Sequence, residues 1–132
     1  MEPTDAQRLR ILLADDHKVM REGLATLLDE QPDVDVVGQA GNGREAVDLA
    51  HKLQPDVIIM DASMPVMPGD EATRQIKLHL PSIRIIALSM FDEPQMSKKM
   101  RRAGAEAYLL KTAPSEELLA AIRGTRQREQ KL

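Results

Sequence analysis

The sequence predicts a single α/β domain: a parallel sheet, doubly wound, with helices on both faces. Five short apolar runs have the length and β-branching of strands buried on both sides. Between and after them lie five segments whose apolar residues recur at helical spacing. The 132 residues suit one compact domain and leave little room for a second. Alternation of strand and helix with right-handed crossovers then gives the architecture.

The elements follow in order. Ile11-Leu12-Leu13-Ala14 is the first strand, and a helix opens near His17 with Met20, Leu24, Leu27 and Leu28 on one face. The second strand, 34–37, is interrupted by Asp35, and its helix places Ala46, Val47, Ala50 and Leu53 inward. Between them, Gly38-Gln39-Ala40-Gly41-Asn42-Gly43 reads as a flexible turn. Val57-Ile58-Ile59-Met60 is the third strand. The helix over 71–80 has a thinner stripe of Ala72, Ile76 and Leu80, and Pro81 ends it. The fourth strand covers 83–88, interrupted by Arg84. Its helix, 94–103, turns Met96, Met100 and Ala103 inward and stops at Gly104, a natural residue just past a helix end. Tyr108-Leu109-Leu110 is the fifth strand. The last helix starts near Pro114, carries Glu116 and Glu117 where the helix dipole favours anions, and buries Leu118, Leu119 and Ile122. Residues 1–8 and 125–132 are polar and aperiodic. They read as a flexible N-terminus and a tail, linker start or helix extension around a domain of 9–124.

Composition narrows the chemistry. The formal charge of −3 gives no basic footprint for nucleic acid, so DNA binding by this chain alone is not expected. The absence of cysteine excludes disulfides, thiolate zinc sites and thiol catalysis. No apolar stretch approaches the roughly 20 residues of a membrane span, and the polar start lacks a signal-peptide core, so a soluble cytoplasmic protein is expected. His17, His51 and His79 are scattered, and none is assigned to a metal. Lys98, Lys99, Arg101 and Arg102 crowd the fourth helix. They read first as a solvated face and second as a surface for an acidic partner.

Asp15-Asp16, Asp61, Ser89 and Lys111 each stand just past the end of an apolar run. In an open parallel sheet, ligands bind just beyond the carboxyl ends of the strands. Each residue has an ordinary reading by itself: a helix cap for Asp15 or Asp16, a turn aspartate for Asp61, a hydroxyl satisfying backbone for Ser89, a solvated charge for Lys111. Joint occurrence at four strand ends changes the odds, because one fold brings those ends together. Crowded carboxylates repel unless a hard cation such as Mg²⁺ lies between them. A carboxylate beside Mg²⁺ can attack phosphorus in line and form an acyl phosphate. Ser63, in the loop stiffened by Pro65, can turn its backbone carbonyl towards the same ion.

The motifs Leu13-Ala14-Asp15-Asp16-His17, Asp56-Val57-Ile58-Ile59-Met60-Asp61 with Met64-Pro65, Ile86-Ala87-Leu88-Ser89 and Ala107-Tyr108-Leu109-Leu110-Lys111 resemble those of response-regulator receiver domains of two-component signalling. The resemblance runs from about Arg10 to Gly124. It implies a flavodoxin-like (βα)5 fold with strand order 2-1-3-4-5. It also implies Asp61 as phosphoacceptor for a sensor histidine kinase and Asp15, Asp16, Asp61 and the Ser63 carbonyl as Mg²⁺ ligands. Ser89 and Lys111 would hold the phosphoryl oxygens, and Tyr108 would be an aromatic switch. In such a switch, phosphorylation draws Ser89 inward, Tyr108 enters the space it leaves, and the surface of the fourth helix, fifth strand and fifth helix changes. Phe91, the one aromatic besides Tyr108, reads equally as part of that switch or as a partly buried loop side chain.

Finer features are similar to the receivers of LuxR-type transcription regulators: Arg21-Glu22-Gly23-Leu24 after Asp16-His17, Met90-Phe91 after Ser89, and Leu109-Leu110 before Lys111. That likeness implies DNA contact only through a C-terminal helix-turn-helix domain outside this chain, the alternative being a stand-alone receiver acting by protein contact. A homodimer is compatible with either. Pro68, Asp70 and Ala107 depart from the usual pattern and bear on the loop after Asp61 and on packing around Tyr108. Of the rival classes, an aspartate-nucleophile phosphatase usually has a second Asp where this chain has Ser63. A nucleotide-binding module would need a glycine-rich loop after the first strand.

Overall fold

The computed structural model describes residues 8–131, with side chains from 8 to 124. Strand and helix alternate through β1 (Leu9–Ala14), α1 (Lys18–Asp29), β2 (Val34–Ala40), α2 (Gly43–Leu53), β3 (Val57–Asp61), α3 (Gly69–His79), β4 (Arg84–Ser89), α4 (Pro94–Ala103), β5 (Ala107–Leu110) and α5 (Ser115–Lys131). All neighbouring strands are parallel, in the order β2-β1-β3-β4-β5. The doubly wound fold is as the apolar pattern predicts, and the strand order is the one the family resemblance implies.

Period-two alternation divides each inner strand between two cores. Leu12, Ala14, Ile58, Met60, Ile85 and Ala87 face α2, α3 and α4, where they meet Ala46, Ala50, Ala72, Ile76 and Met100. Ile11, Leu13, Val57, Ile59, Ile86 and Leu88 face α1 and α5 and meet Ala25, Leu28, Leu118 and Ile122. Eight of the twelve largest fully buried side chains among the described residues belong to β1, β3 and β4. Each contributes roughly 1.5–3 kcal/mol on burial, so these three strands form the rigid platform whose ends carry the polar residues. Arg84 on β4 fixes α5 against it by donating to the Ala121 and Ile122 carbonyls, both at 2.8 Å.

Several boundaries differ from the sequence reading, each for a physical reason. β2 runs on to Ala40 because a register shift between Ile11 and Leu12 lets Gly38, Gln39 and Ala40 pair with Leu12, Leu13 and Ala14. The expected flexible turn shrinks accordingly. Its Asn42 caps α2, with Oδ1 accepting the Glu45 N–H at 2.9 Å. α3 opens at Gly69, two residues early, behind Pro68, which supplies the extended backbone of a cap without a side-chain bond. Asp70 then lies in the first turn, where the dipole favours an anion. Met20 is 40% exposed, and Phe91 is 67% exposed, so the partly buried reading of Phe91 does not hold. α5 continues to Lys131 and takes in most of the predicted tail. The predicted flexible N-terminus lies, but for Arg8, outside the described residues. None of the described helices is long and apolar enough to cross a membrane.

Candidate functional site

The carboxyl ends of β1, β3, β4 and β5 bring the predicted polar residues to one edge of the sheet. Backbone bonds carry the ladder past the strand ends and set each position: Asp15 N–H to Ala40 O at 3.0 Å, Ala62 N–H to Leu88 O at 2.9 Å, Lys111 N–H to Ser89 O at 2.7 Å. Lys111 reaches back over the edge and places its ammonium 2.9 Å from Oδ2 of Asp61 and 2.9 Å from Oδ2 of Asp15. All three side chains are buried, at 2%, 4% and 8% exposure for Lys111, Asp61 and Asp15. The remaining oxygens are also held: the Ser63 N–H donates to Asp61 Oδ1 at 3.1 Å and the His17 N–H to Asp15 Oδ1 at 2.9 Å. The expected helix-capping role of Asp15 thus becomes this single bond ahead of α1, whose cap residue is His17.

Asp16 is more open, and its Oδ1 lies 3.4 Å from Nδ1 of His17, which is also 3.3 Å from Asp15 Oδ1. One ligand atom each from Asp15, Asp16, His17 and Asp61 falls within 4.8 Å of all the others. Burial pushes the Asp61 carboxyl up to about 6, despite the opposing Lys111 ammonium and Ser63 N–H. Asp15 feels the same burial, but the His17 N–H and Lys111 outweigh it and hold the carboxyl below its ordinary value. Burial lowers the Lys111 ammonium, yet the two carboxylates more than offset it and raise it. Three carboxylates around one ammonium leave an excess of negative charge on a set made chiefly of oxygen donors. A hard divalent cation of the Mg²⁺ type fits that set.

Two recesses flank the cluster. An open groove of about 600 Å³, lined by Asp16, Ser63, Met64, Pro65, Asp70 and Lys99 among others, reaches the cluster at Asp16. On the other side Met20, Leu24, Leu88, Leu109 and Leu118 line a largely apolar cavity of about 140 Å³ behind Lys111. Asp15 and Lys111 form part of the wall of this cavity. Ser89 and Tyr108 form a second, linked group: Ser89 Oγ accepts the Phe91 N–H at 3.2 Å, and the Tyr108 hydroxyl donates to the Phe91 carbonyl at 3.0 Å.

Two contributors escape a reading of the sequence by motif chemistry. Arg21 donates to the Asp15 carbonyl at 2.6 Å and to Gln39 Oε1 at 3.1 Å, tying the loop that carries the acid pair to β2. Its sequence signal is the run Arg21-Glu22-Gly23-Leu24 after Asp16-His17, which by itself points to no chemistry. Gly69 packs so closely under β3 that a Cβ there would overlap the Asp61 carbonyl oxygen. The glycine at the start of α3 is therefore required by a close approach.

Comparison with known proteins identifies the family. The response regulator receiver domain model matches residues 11–123. The chain is 46% identical to the transcriptional regulatory protein LiaR of Bacillus subtilis over 124 residues, 94% of this chain and 59% of LiaR. It therefore spans less than two thirds of that relative's length. The receiver domain of the putative response regulator NarL from Mycobacterium tuberculosis superposes with a TM-score of 0.86 at 30% identity, over 92% of this chain and 98% of that one. A LuxR-family two-component response regulator from Aurantimonas gives 0.85 at 35% identity, over 89% and 84%. With the family model covering most of its length, the chain belongs to the response regulator receiver domains.

Proposed function

We propose that Asp61 is the phosphoacceptor of a phosphorelay and that this domain converts phosphorylation into a change of surface. The observation that carries the reading is the buried Lys111 ammonium held between Asp15 and Asp61 at the end of the sheet, 2.9 Å from each. In the reaction an Asp61 oxygen attacks the phosphorus of a phosphohistidine on a sensor histidine kinase. The P–N bond breaks, its electron pair stays on the leaving imidazole, and an aspartyl phosphate forms. Lys111 neutralises the transferring oxygens, and the Ser63 amide keeps the carboxylate oriented. Asp15, Asp16, Asp61 and the Ser63 carbonyl would hold Mg²⁺, which supplies charge neutralisation for the phosphoryl oxygens.

The new dianion requires a further donor, and Ser89 supplies it by exchanging its bond with the Phe91 N–H for one to a phosphoryl oxygen. Tyr108, bonded to the Phe91 carbonyl, responds to the same movement, so the surface of α4, β5 and α5 is the output face. Transcription is the output we infer, through a helix-turn-helix domain outside this chain, in the cytoplasm. The likeness to LiaR, a transcriptional regulatory protein, supports it. The test is incubation with a small acyl-phosphate donor followed by intact mass. The expected result is one labile phosphate that requires Mg²⁺ and disappears in Asp61→Asn. An unmodified wild-type protein overturns the reading, and rapid hydrolysis of varied phosphate esters points to a phosphatase instead.

A further inference from the structure

The fold brings together two histidines that the phosphoryl chemistry does not use. His51 stands in the last turn of α2 and His79 in the last turn of α3, both exposed, with ring centroids 5.8 Å apart and planes inclined by 54°. Nδ1 of His51 lies 2.9 Å from the Val47 carbonyl oxygen, and Nδ1 of His79 lies 3.2 Å from that of Gln75. A carbonyl oxygen can only accept, so each Nδ1 carries the hydrogen. In the neutral rings both Nε2 atoms then have a bare lone pair. That is the arrangement in which imidazoles ligate metals, with the far ring nitrogen donating to a backbone carbonyl and fixing tautomer and orientation.

We propose that His51 and His79 form a two-imidazole site for a borderline divalent transition-metal ion of the Zn²⁺ or Ni²⁺ class, joining the ends of α2 and α3. With metal–nitrogen bonds of about 2.1 Å, two imidazoles on a tetrahedral ion have centroids roughly 5.2 Å apart. The observed centroid separation of 5.8 Å is about half an ångström longer, and the two exposed side chains have to turn about χ to aim both Nε2 atoms at one ion. The electrostatics are favourable as well. Two helix C-termini present partial negative charge to the same spot. The neighbouring Lys77 ammonium is drawn off to the Pro81 and Ile83 carbonyls at 2.8 and 2.9 Å. Water would complete the coordination. Parallel topology puts these helix ends at the edge of the sheet opposite Asp61, so the site is separate from the acid cluster. Imidazole selects zinc or nickel where carboxylates select magnesium.

The test is zinc binding by equilibrium dialysis in excess Mg²⁺, with the histidine ring resonances followed by NMR. The His17→Gln protein is run beside the wild type to separate zinc held near the acids. The expected result is one zinc retained in His17→Gln and bound about tenfold or more weakly after either His51→Gln or His79→Gln. Both ring spectra should move together. A weaker effect of either substitution, or movement of one ring alone, overturns the site and leaves the pair as a packing contact between helices.

Discussion

Lys111 and Asp61 meet across the end of the sheet with Nζ 2.9 Å from Oδ2, and neither side chain has more than 4% of its surface exposed. A pair so buried is held less by its mutual attraction than by the penalty of leaving one partner alone. Lys111→Met removes the ammonium and keeps the apolar stem that lines the cavity, leaving Asp15 and Asp61 to repel. Urea denaturation in chelator is expected to show a loss of about 3 kcal/mol. Mg²⁺ should restore part of it, because a cation then replaces the ammonium. Equal stability of the two proteins in chelator would show that the pair is not closed in solution.

Asp61 gives the pH dependence a definite sign. Folded, its carboxyl takes up a proton at about 6, against an ordinary value of 3.8. Between those values the folded state holds more protons than the unfolded one, so the contribution of this group to stability falls as pH rises. The penalty is complete above pH 6. Asp61→Asn removes it and leaves Lys111 paired with Asp15. Without metal, the variant is expected to melt above the wild type at neutral pH, with the gap narrowing as pH falls through 6. In Mg²⁺ the order should move back towards the wild type, which gains a ligand the variant lacks. A constant gap across pH would assign the effect to packing.

Two glycine substitutions separate a positional requirement from mere flexibility. A Cβ on Gly69 would overlap the Asp61 carbonyl, while one on Gly23, in α1, meets nothing within 4 Å. Gly23→Ala is expected to stabilise by up to about 1 kcal/mol, the ordinary gain of alanine in a helix interior. Gly69→Ala should destabilise by about 2 kcal/mol and slow acyl-phosphate labelling, because the backbone that must move is the one bearing Asp61. Thermal melts and labelling rates on the two variants check both directions. Labelling that is unchanged in Gly69→Ala would show that α3 gives way and the loop does not.

The inner strands were legible because burial on both faces writes them as unbroken apolar runs, and the polar residues at their ends inherit that clarity. The far half of β2 was not. Gly38 and Gln39 carry no apolar signal, and their pairing depends on a register shift in the neighbouring strand. The residue types of the acid cluster were readable, but the sharing of one ammonium between Asp15 and Asp61 is a tertiary fact. The same holds for Arg21 at the Asp15 carbonyl and for His51 beside His79, each joined by packing across elements. The loop after Asp61 was doubtful from its departures at Pro68 and Asp70. Both prove to be helix-start residues, and the unusual backbone lies two residues before Pro68, at Val66.

Val66 has φ 70°, and its neighbours close a three-residue turn in which the Met67 N–H donates to the Pro65 carbonyl at 2.7 Å. That turn is strained, and a β-branched residue tolerates it poorly. The side chain is 80% exposed and returns little by packing. Glycine removes the steric penalty of about 1–2 kcal/mol and gives back roughly half of that in unfolded-chain entropy. Val66→Gly is therefore expected to stabilise by about 0.5–1 kcal/mol, seen as a higher denaturation midpoint in urea with unchanged slope. Val66→Ala keeps a Cβ at the same φ and should gain much less. A gain in glycine alone locates the energy in the backbone turn, whereas equal gains in both variants would locate it in the exposed valine side chain.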